Sequence, residues 1–466
     1  MMIKDYFLLC LLIISLGSAF GQDGTVLTYD NFISMIREHH PVSQRANLLT
    51  SEGSAYLLKA KGGFDPKIQG SLERKTFDGK EYYNLINSGF TIPLWFGPDL
   101  KIAYEQNDGV FLNPSDQVPT GGLVAVGISL PIGRGLFMDE RRMAIQQAEV
   151  LQRSNELRRK LMINELLVNS SQYYLEWQEN YAALEVARDG IDIARQRSEA
   201  IKLSFINGDK PAVDTLEAFI TVQSRIERYN AQLIELAKSR AMINPLLWIE
   251  GQIPLELEEN VIPEPINQEF KKQVMDSLSL RIEDIVLRHP EINLYENKIQ
   301  SLEIENRLNR ENLKPDLRLN FNPLLTPFGE RVDGVFNSSD YKLGLAFKMP
   351  LFLRKERANI KLTGIKIQDS QLQQLQKNQD LKAKLNVIVS NNNILLQQQL
   401  LTRQMISNYE SLLAAEIRKF GIGESSVFLV NARENKLLDL RQKLISQDIK
   451  VLLNRLELLR VSRSVF

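Results

Sequence analysis

The chain is written twice, and this limits what it can fold into more than any other feature. His40-Pro41 recurs as His289-Pro290, and Asp65-Pro66-Lys67-Ile68 is echoed at the same offset by Lys314-Pro315-Asp316-Leu317. Ile128-Ser129-Leu130-Pro131 is matched by Phe347-Lys348-Met349-Pro350, and Phe205-Ile206-Asn207-Gly208 by Phe420-Gly421-Ile422-Gly423. The four pairs keep the same order, so each half reads helix, strands, a very long helix, a Gly-containing turn and a helix. The organisation expected is a signal peptide over 1–21, a first repeat over 22–247, a linker or equatorial region over 248–278, and a second repeat over 279–466.

The long helices are the second constraint. From about Phe137 to Phe205 there is no proline and one glycine, Gly190; from about Arg354 to Phe420 the one interior glycine is Gly364. At roughly 1.5 Å per residue each would run on the order of 100 Å. In the second, a seven-residue register holds Ile360, Ile367, Leu381, Ile388, Leu395 and Tyr409, interrupted at Gln374 and Thr402. That favours coiled-coil packing. The Gln- and Asn-rich stretch 368–399 suits either a solvated coiled-coil face or a face on an aqueous channel. Asn207-Gly208-Asp209-Lys210-Pro211 and Gly421-Ile422-Gly423-Glu424-Ser425-Ser426 read as turns closing antiparallel helix pairs, with Pro or Ser restarting the chain.

The strands alternate with period two. Tyr341, Leu343, Leu345, Phe347 and Met349 face one way, and Lys342, Gly344, Ala346 and Lys348 the other. Val124, Val126, Ile128 and Leu130 alternate with Ala125, Gly127 and Ser129, and the middle section 82–106 alternates as well. An apolar face opposite a small or polar one suits a soluble sheet or a membrane barrel with a wet lumen. Four to six strands cannot close such a barrel within one chain, and open edges are not tolerated in hydrocarbon. A barrel made of these strands therefore has to be shared between copies. Whether the middle section spans or projects outside stays open at this level.

Lys4, the apolar run from Tyr6 to Leu16 and the small residues after it have the order of a secretory signal peptide, cleaved after Ala19 or Gly21. Cys10, the single cysteine, follows Leu9 inside that run and does not read as a lipidation site. Lys+Arg and Asp+Glu are both 57, so there is no basic surplus for nucleic acid. No phosphate loop, Gly-x-Ser-x-Gly or His-Glu-x-x-His is found, and His39-His40 reads as a polar helix end before Pro41. No enzyme activity, cofactor or metal is expected.

In its paired His-Pro entries, Pro-ended strands, Phe-x-x-Gly turns and the Gly133-Arg134-Gly135 segment, the sequence resembles the TolC-type outer-membrane efflux factor family over about Tyr29 to Leu459. The resemblance implies a mixed α/β membrane protein. Three copies would build a transmembrane β-barrel jointly, and their long antiparallel coiled-coil helices would form an α-helical barrel across the periplasm. It implies an outer-membrane exit duct for drugs, metal ions or secreted proteins, as in tripartite efflux or type I secretion. Its partners would be a periplasmic adaptor, an inner-membrane transporter and outer-membrane lipid. In the family, acidic residues beyond the second-half turn often ring the constriction. Here those positions hold Leu429 and Ala432, whereas the first half offers Asp214 and Glu217, three apart on one helix face. Glu424 is a further candidate, and Gly208 and Gly423 are candidates for adaptor contact. The alternative is a soluble periplasmic coiled-coil scaffold or adaptor.

Overall fold

A computed structural model describes residues 25–266, 282–325 and 339–462. The expected signal peptide and Cys10 lie outside the described residues, as does the 267–278 part of the expected equatorial region. In chain order come β1 (Val26–Leu27), α1 (Tyr29–His39), α2 (Pro41–Lys61), β2 (Lys67–Phe77), β3 (Lys80–Pro93), β4 (Asp99–Asp108) and β5 (Leu123–Pro131). Then follow α3 (Glu140–Ile206), α4 (Ala212–Ile243), β6 (Trp248–Ile249), β7 (Ile253–Pro254), β8 (Ile262–Pro263), α5 (Ile282–Leu287) and α6 (Pro290–Glu311). The chain continues with β9 (Asp316–Leu325), β10 (Tyr341–Lys348), α7 (Arg354–Gly421) and α8 (Val427–Ser462). The two long helices are unbroken over 67 and 68 residues.

The repeated His-Pro pair has a local cause. Pro41 and Pro290 each open a helix, where the missing N–H is no loss. The N–H two residues beyond each histidine still needs an acceptor. Val42 N–H donates to His40 Nδ1 (3.1 Å) and Glu291 N–H to His289 Nδ1 (3.3 Å), so each imidazole caps the helix it precedes. Both rings are buried.

Contacts divide the chain into two units, each drawing on both repeats. The first takes its described residues from 1–44, 162–281 and 383–466. Its core joins Phe32 and Ile36 of α1, Leu167, Tyr174 and Trp177 of α3, Ile243 at the end of α4, and Ile449 and Leu452 of α8. Rings of Tyr29, Phe32 and Trp177 surround Tyr174 at centroid distances of 5.5, 5.1 and 5.7 Å. The two tyrosine hydroxyls in this apolar setting are paired: Tyr174 Oη donates to Leu27 O (2.6 Å), and Tyr29 Oη lies 2.8 Å from Ser171 Oγ, whereas the buried Trp177 Nε1 has no hydrogen-bond partner among the described residues. Short strands edge this core. β1 runs parallel to β8, and β6 antiparallel to β7.

The second unit takes its described residues from 45–161 and 282–382 and contains one antiparallel sheet in the order β10-β9-β5-β4-β3-β2. The middle section is thus β3 and β4, inserted in register between β2 and β5. Pairing puts apolar side chains in rows. Ile68, Phe90, Ile102 and Val126 form one row across four strands; Ile92, Leu100, Ile128, Phe321 and Leu343 form the next across five. The opposite face carries Gln69, Gly89, Ala103 and Ala125 in one row, and Ser129, Asn320 and Gly344 in another. The apolar face is left open: Ile68 is 85% exposed, Leu345 65% and Phe347 67%.

Gly133, just past β5, owes its place to close approach. A Cβ there would meet Pro315 O at 2.2 Å, because Arg134 N–H donates to that same carbonyl (2.8 Å).

Candidate functional site

The two helix turns of the first unit have the same backbone structure. Gly208 and Gly423 have φ of 83° and 81°. Gly208 N–H donates to Phe205 O (2.9 Å) and Asp209 N–H to Ser204 O (2.9 Å). Gly423 N–H donates to Phe420 O (3.2 Å) and Glu424 N–H to Lys419 O (2.9 Å). This pair of bonds closes a helix through a left-handed residue, for which glycine is the natural choice. The restarts differ. Pro211 is the N-cap residue of α4 without a side-chain bond, whereas Ser426 Oγ accepts from Leu429 N–H (3.3 Å) to start α8.

The turns are held side by side. Lys210 Nζ lies 4.2 Å from the Phe420 ring centroid. Below, Ile201 of α3, Ala218 of α4 and Val427 of α8 are buried together, with Phe420 packed on them. Asp214 and Glu217 lie in the first turns of α4, half-buried, and neither carboxylate has a hydrogen-bond or ion-pair partner among the described residues. Glu424 is exposed on the turn itself. Ala218 is buried while Val213, Leu216, Phe219 and Ile220 are exposed, so this end of α4 carries a large open apolar surface.

Behind the turns is a charged cluster that sequence patterning did not single out. Glu434 of α8 is buried and pairs with Arg197 of α3; Arg197 also donates to Asn431 Oδ1 (3.0 Å). Arg225 of α4 is 4% exposed, with Nη2 4.0 Å from the Glu434 carboxylate, and burial pulls its pKa below the usual arginine range. Asn431 Nδ2 donates to Thr221 Oγ1 (2.9 Å). One buried carboxylate and two guanidiniums therefore join α3, α4 and α8. Spaced polar residues on long helices look like solvated surface, so only three-dimensional pairing reveals them.

A second apolar surface lies open on α7. In the second unit Leu362, Ile365, Leu372 and Leu375 are exposed at spacings of three or seven, and separately in the first unit Val387, Ile394 and Leu401 are exposed at spacings of seven. The expected inward register is present alongside it. Leu381 and Ile388 are buried, and so is Thr402, one of the two interruptions. Among the described residues no group of three or more His, Cys, Asp or Glu could hold a metal ion, and no helix is long and apolar enough to cross a membrane.

No protein-family model and no curated protein matches the chain. Solved structures do. CusC, studied for transmembrane channel formation, has a TM-score of 0.65 at 16% identity, covering 96% of this chain and 95% of that one. The open-state MtrE outer membrane channel of Neisseria gonorrhoeae has a TM-score of 0.66 at 12% identity, covering 96% and 95%. The CmeC outer membrane channel of Campylobacter jejuni has a TM-score of 0.63 at 12% identity, covering 93% of this chain and 85% of that one. The chain has the fold of these channels, as the resemblance in the sequence led one to expect.

Proposed function

We propose that this chain is an outer-membrane exit duct that works as a homotrimer, passing cargo outward for an inner-membrane transporter through a periplasmic adaptor. The observation that carries the reading is the sheet of the second unit, with apolar rows exposed on one face and small or polar rows on the other. Such a sheet is costly in water and suited to lipid. Among the described residues its edge strands β2 and β10 each have one neighbour, and backbone groups at an open edge are not tolerated in hydrocarbon. Pairing with further copies satisfies them. The open apolar stripe on α7 gives the copies a helical contact as well.

In this reading the helix turns face the adaptor, with Gly208 and Gly423 at the contact. Asp214 and Glu217, repeated three times, form carboxylate rings at the constriction and favour cations, with Glu424 next in line. Passage needs no catalytic group and no cofactor.

The test is cell fractionation followed by extraction. The reading expects the chain in the outer-membrane fraction, resistant to high salt, and released by detergent as a particle of three copies. Release by salt as a soluble protein would favour the coiled-coil scaffold instead.

A further inference from the structure

We propose that the β3–β4 hairpin lies in the wall of the barrel, so that each copy contributes six strands and three copies close an eighteen-stranded barrel. This rests on the outer-membrane reading above and adds the strand count and the bore.

Three observations place the hairpin in the wall. The first is pairing. β5 is bonded to β4 and β9, and β2 has β3 as its one neighbour. Lifting the hairpin out would strip one side of β5 and the paired side of β2 at once. The second is facing. Phe90 and Ile92 of β3 and Leu100 and Ile102 of β4 stand in the same rows as Ile68, Val126 and Ile128, while Gly89 and Ala103 stand with Gln69 and Ala125. A hairpin projecting into water has no reason to continue the apolar face of its neighbours. At 14 and 10 residues, β3 and β4 are also long enough to cross a bilayer.

The third observation is at the strand ends. The 94–98 turn between β3 and β4 is docked where β5 leads into α3: Asp99 pairs with Arg141 at 2.9 Å, and Arg142 donates to Leu136 O at 3.0 Å beside Gly97. Trp95 and Phe96 on that turn are exposed, as are Phe137 beyond β5 and Phe352 beyond β10. At the other end of the strands, Tyr82 stacks 4.7 Å from Phe111 and 6.1 Å from Phe77. Aromatic residues at both ends of an apolar band are the pattern of strands that end at two membrane–water interfaces.

The direction of the strands fits closure. Six alternating strands leave β2 and β10 running oppositely, so β10 of one copy meets β2 of the next as an antiparallel pair. Barrel diameter grows roughly linearly with strand number. Eighteen strands give a bore roughly half as wide again as the twelve left without the hairpin, about 35 Å between backbones at ~40° tilt.

The experiment is thiol accessibility in intact outer membranes. Single cysteines replace Ile102, Ala103, Leu345 and Ala346 in a Cys10→Ser background, and a small membrane-impermeant maleimide is applied. Labelling is normalised to the denatured protein, and only trimeric material is scored. The expected result is fast labelling of Ala103→Cys and Ala346→Cys, with Ile102→Cys and Leu345→Cys slower by more than about tenfold. If Ile102→Cys labels as fast as Ala103→Cys while Leu345→Cys stays protected, the hairpin is outside the wall and the inference falls. No labelling at either face of β4 overturns it too, because a wall strand puts one face in water. If Leu345→Cys labels as fast as Ala346→Cys, the membrane barrel itself falls with it.

Discussion

Arg197 of α3 reaches Glu434 of α8, a residue from the other half of the chain, and the carboxylate is 3% exposed between this guanidinium and that of Arg225. The cluster ties the two halves together just behind their turns. Removing one member of a buried ion pair costs about 3–5 kcal/mol, because the partner charge stays buried without compensation. Glu434→Ala is therefore expected to lower the stability of the detergent-solubilised protein by that order, read from thermal or denaturant unfolding. Replacing Glu434 with Leu and both arginines with Met together should cost much less.

Gly208 and Gly423 occupy the left-handed region, where a Cβ is strained. Each Gly→Ala change is expected to destabilise its helix pair by about 1 kcal/mol, since nothing within 4 Å of either position would add a clash. The effect should appear in local hydrogen exchange of residues 203–213 or 418–428, respectively, before it appears in global unfolding.

The His40 imidazole has its pKa lowered by burial, with a backbone hydrogen bond at Pro245 opposing the shift. Its Nδ1 is an acceptor, so the neutral ring is the form that caps α2. The folded pKa is depressed, so the unfolded chain takes up the proton first. The stabilisation is complete above about pH 6.5 and is lost as pH falls through the folded value. His40→Asn keeps an N-cap acceptor that does not titrate, and is expected to flatten the fall in stability between about pH 7.5 and 5. An unchanged slope would assign the acid sensitivity to other groups.

Leu345 and Ala346 are neighbours on β10 that face opposite sides of the sheet. In the membrane reading Leu345→Arg puts a charge in lipid, at a cost of about 2–4 kcal/mol near the midplane, and Ala346→Arg puts one in water. Outer-membrane yield of folded trimer should fall sharply for Leu345→Arg and little for Ala346→Arg. Equal yields would contradict the assignment of faces.

What was legible in the sequence was whatever repeats locally. The His-Pro pairs marked the repeat, the Phe-x-x-Gly pairs announced turns with matching hydrogen bonds, and period-two alternation gave each strand its faces; that each histidine caps the helix after it came from the structure. The long helices end within a few residues of the expected limits. The partners of a strand are another matter. Alternation fixes which way Phe90 and Ile102 face, but the register that sets β4 against β5 is a long-range property. The pairing of 82–106 was therefore open until the sheet was assembled. The Arg197–Glu434 pair was hidden for the same reason. Asp214 and Glu217 do share a half-buried stretch of α4 near the turn, and the carboxylate rings proposed for them require copies that meet around an axis.

The most direct measurement is ion current across a planar bilayer carrying the detergent-purified trimer, with the Asp214→Ala/Glu217→Ala variant beside it. The account predicts steady channels that prefer cations, with that preference reduced when the two carboxylates are removed. A folded trimer that carries no current, in the native form and in the variant alike, would contradict it.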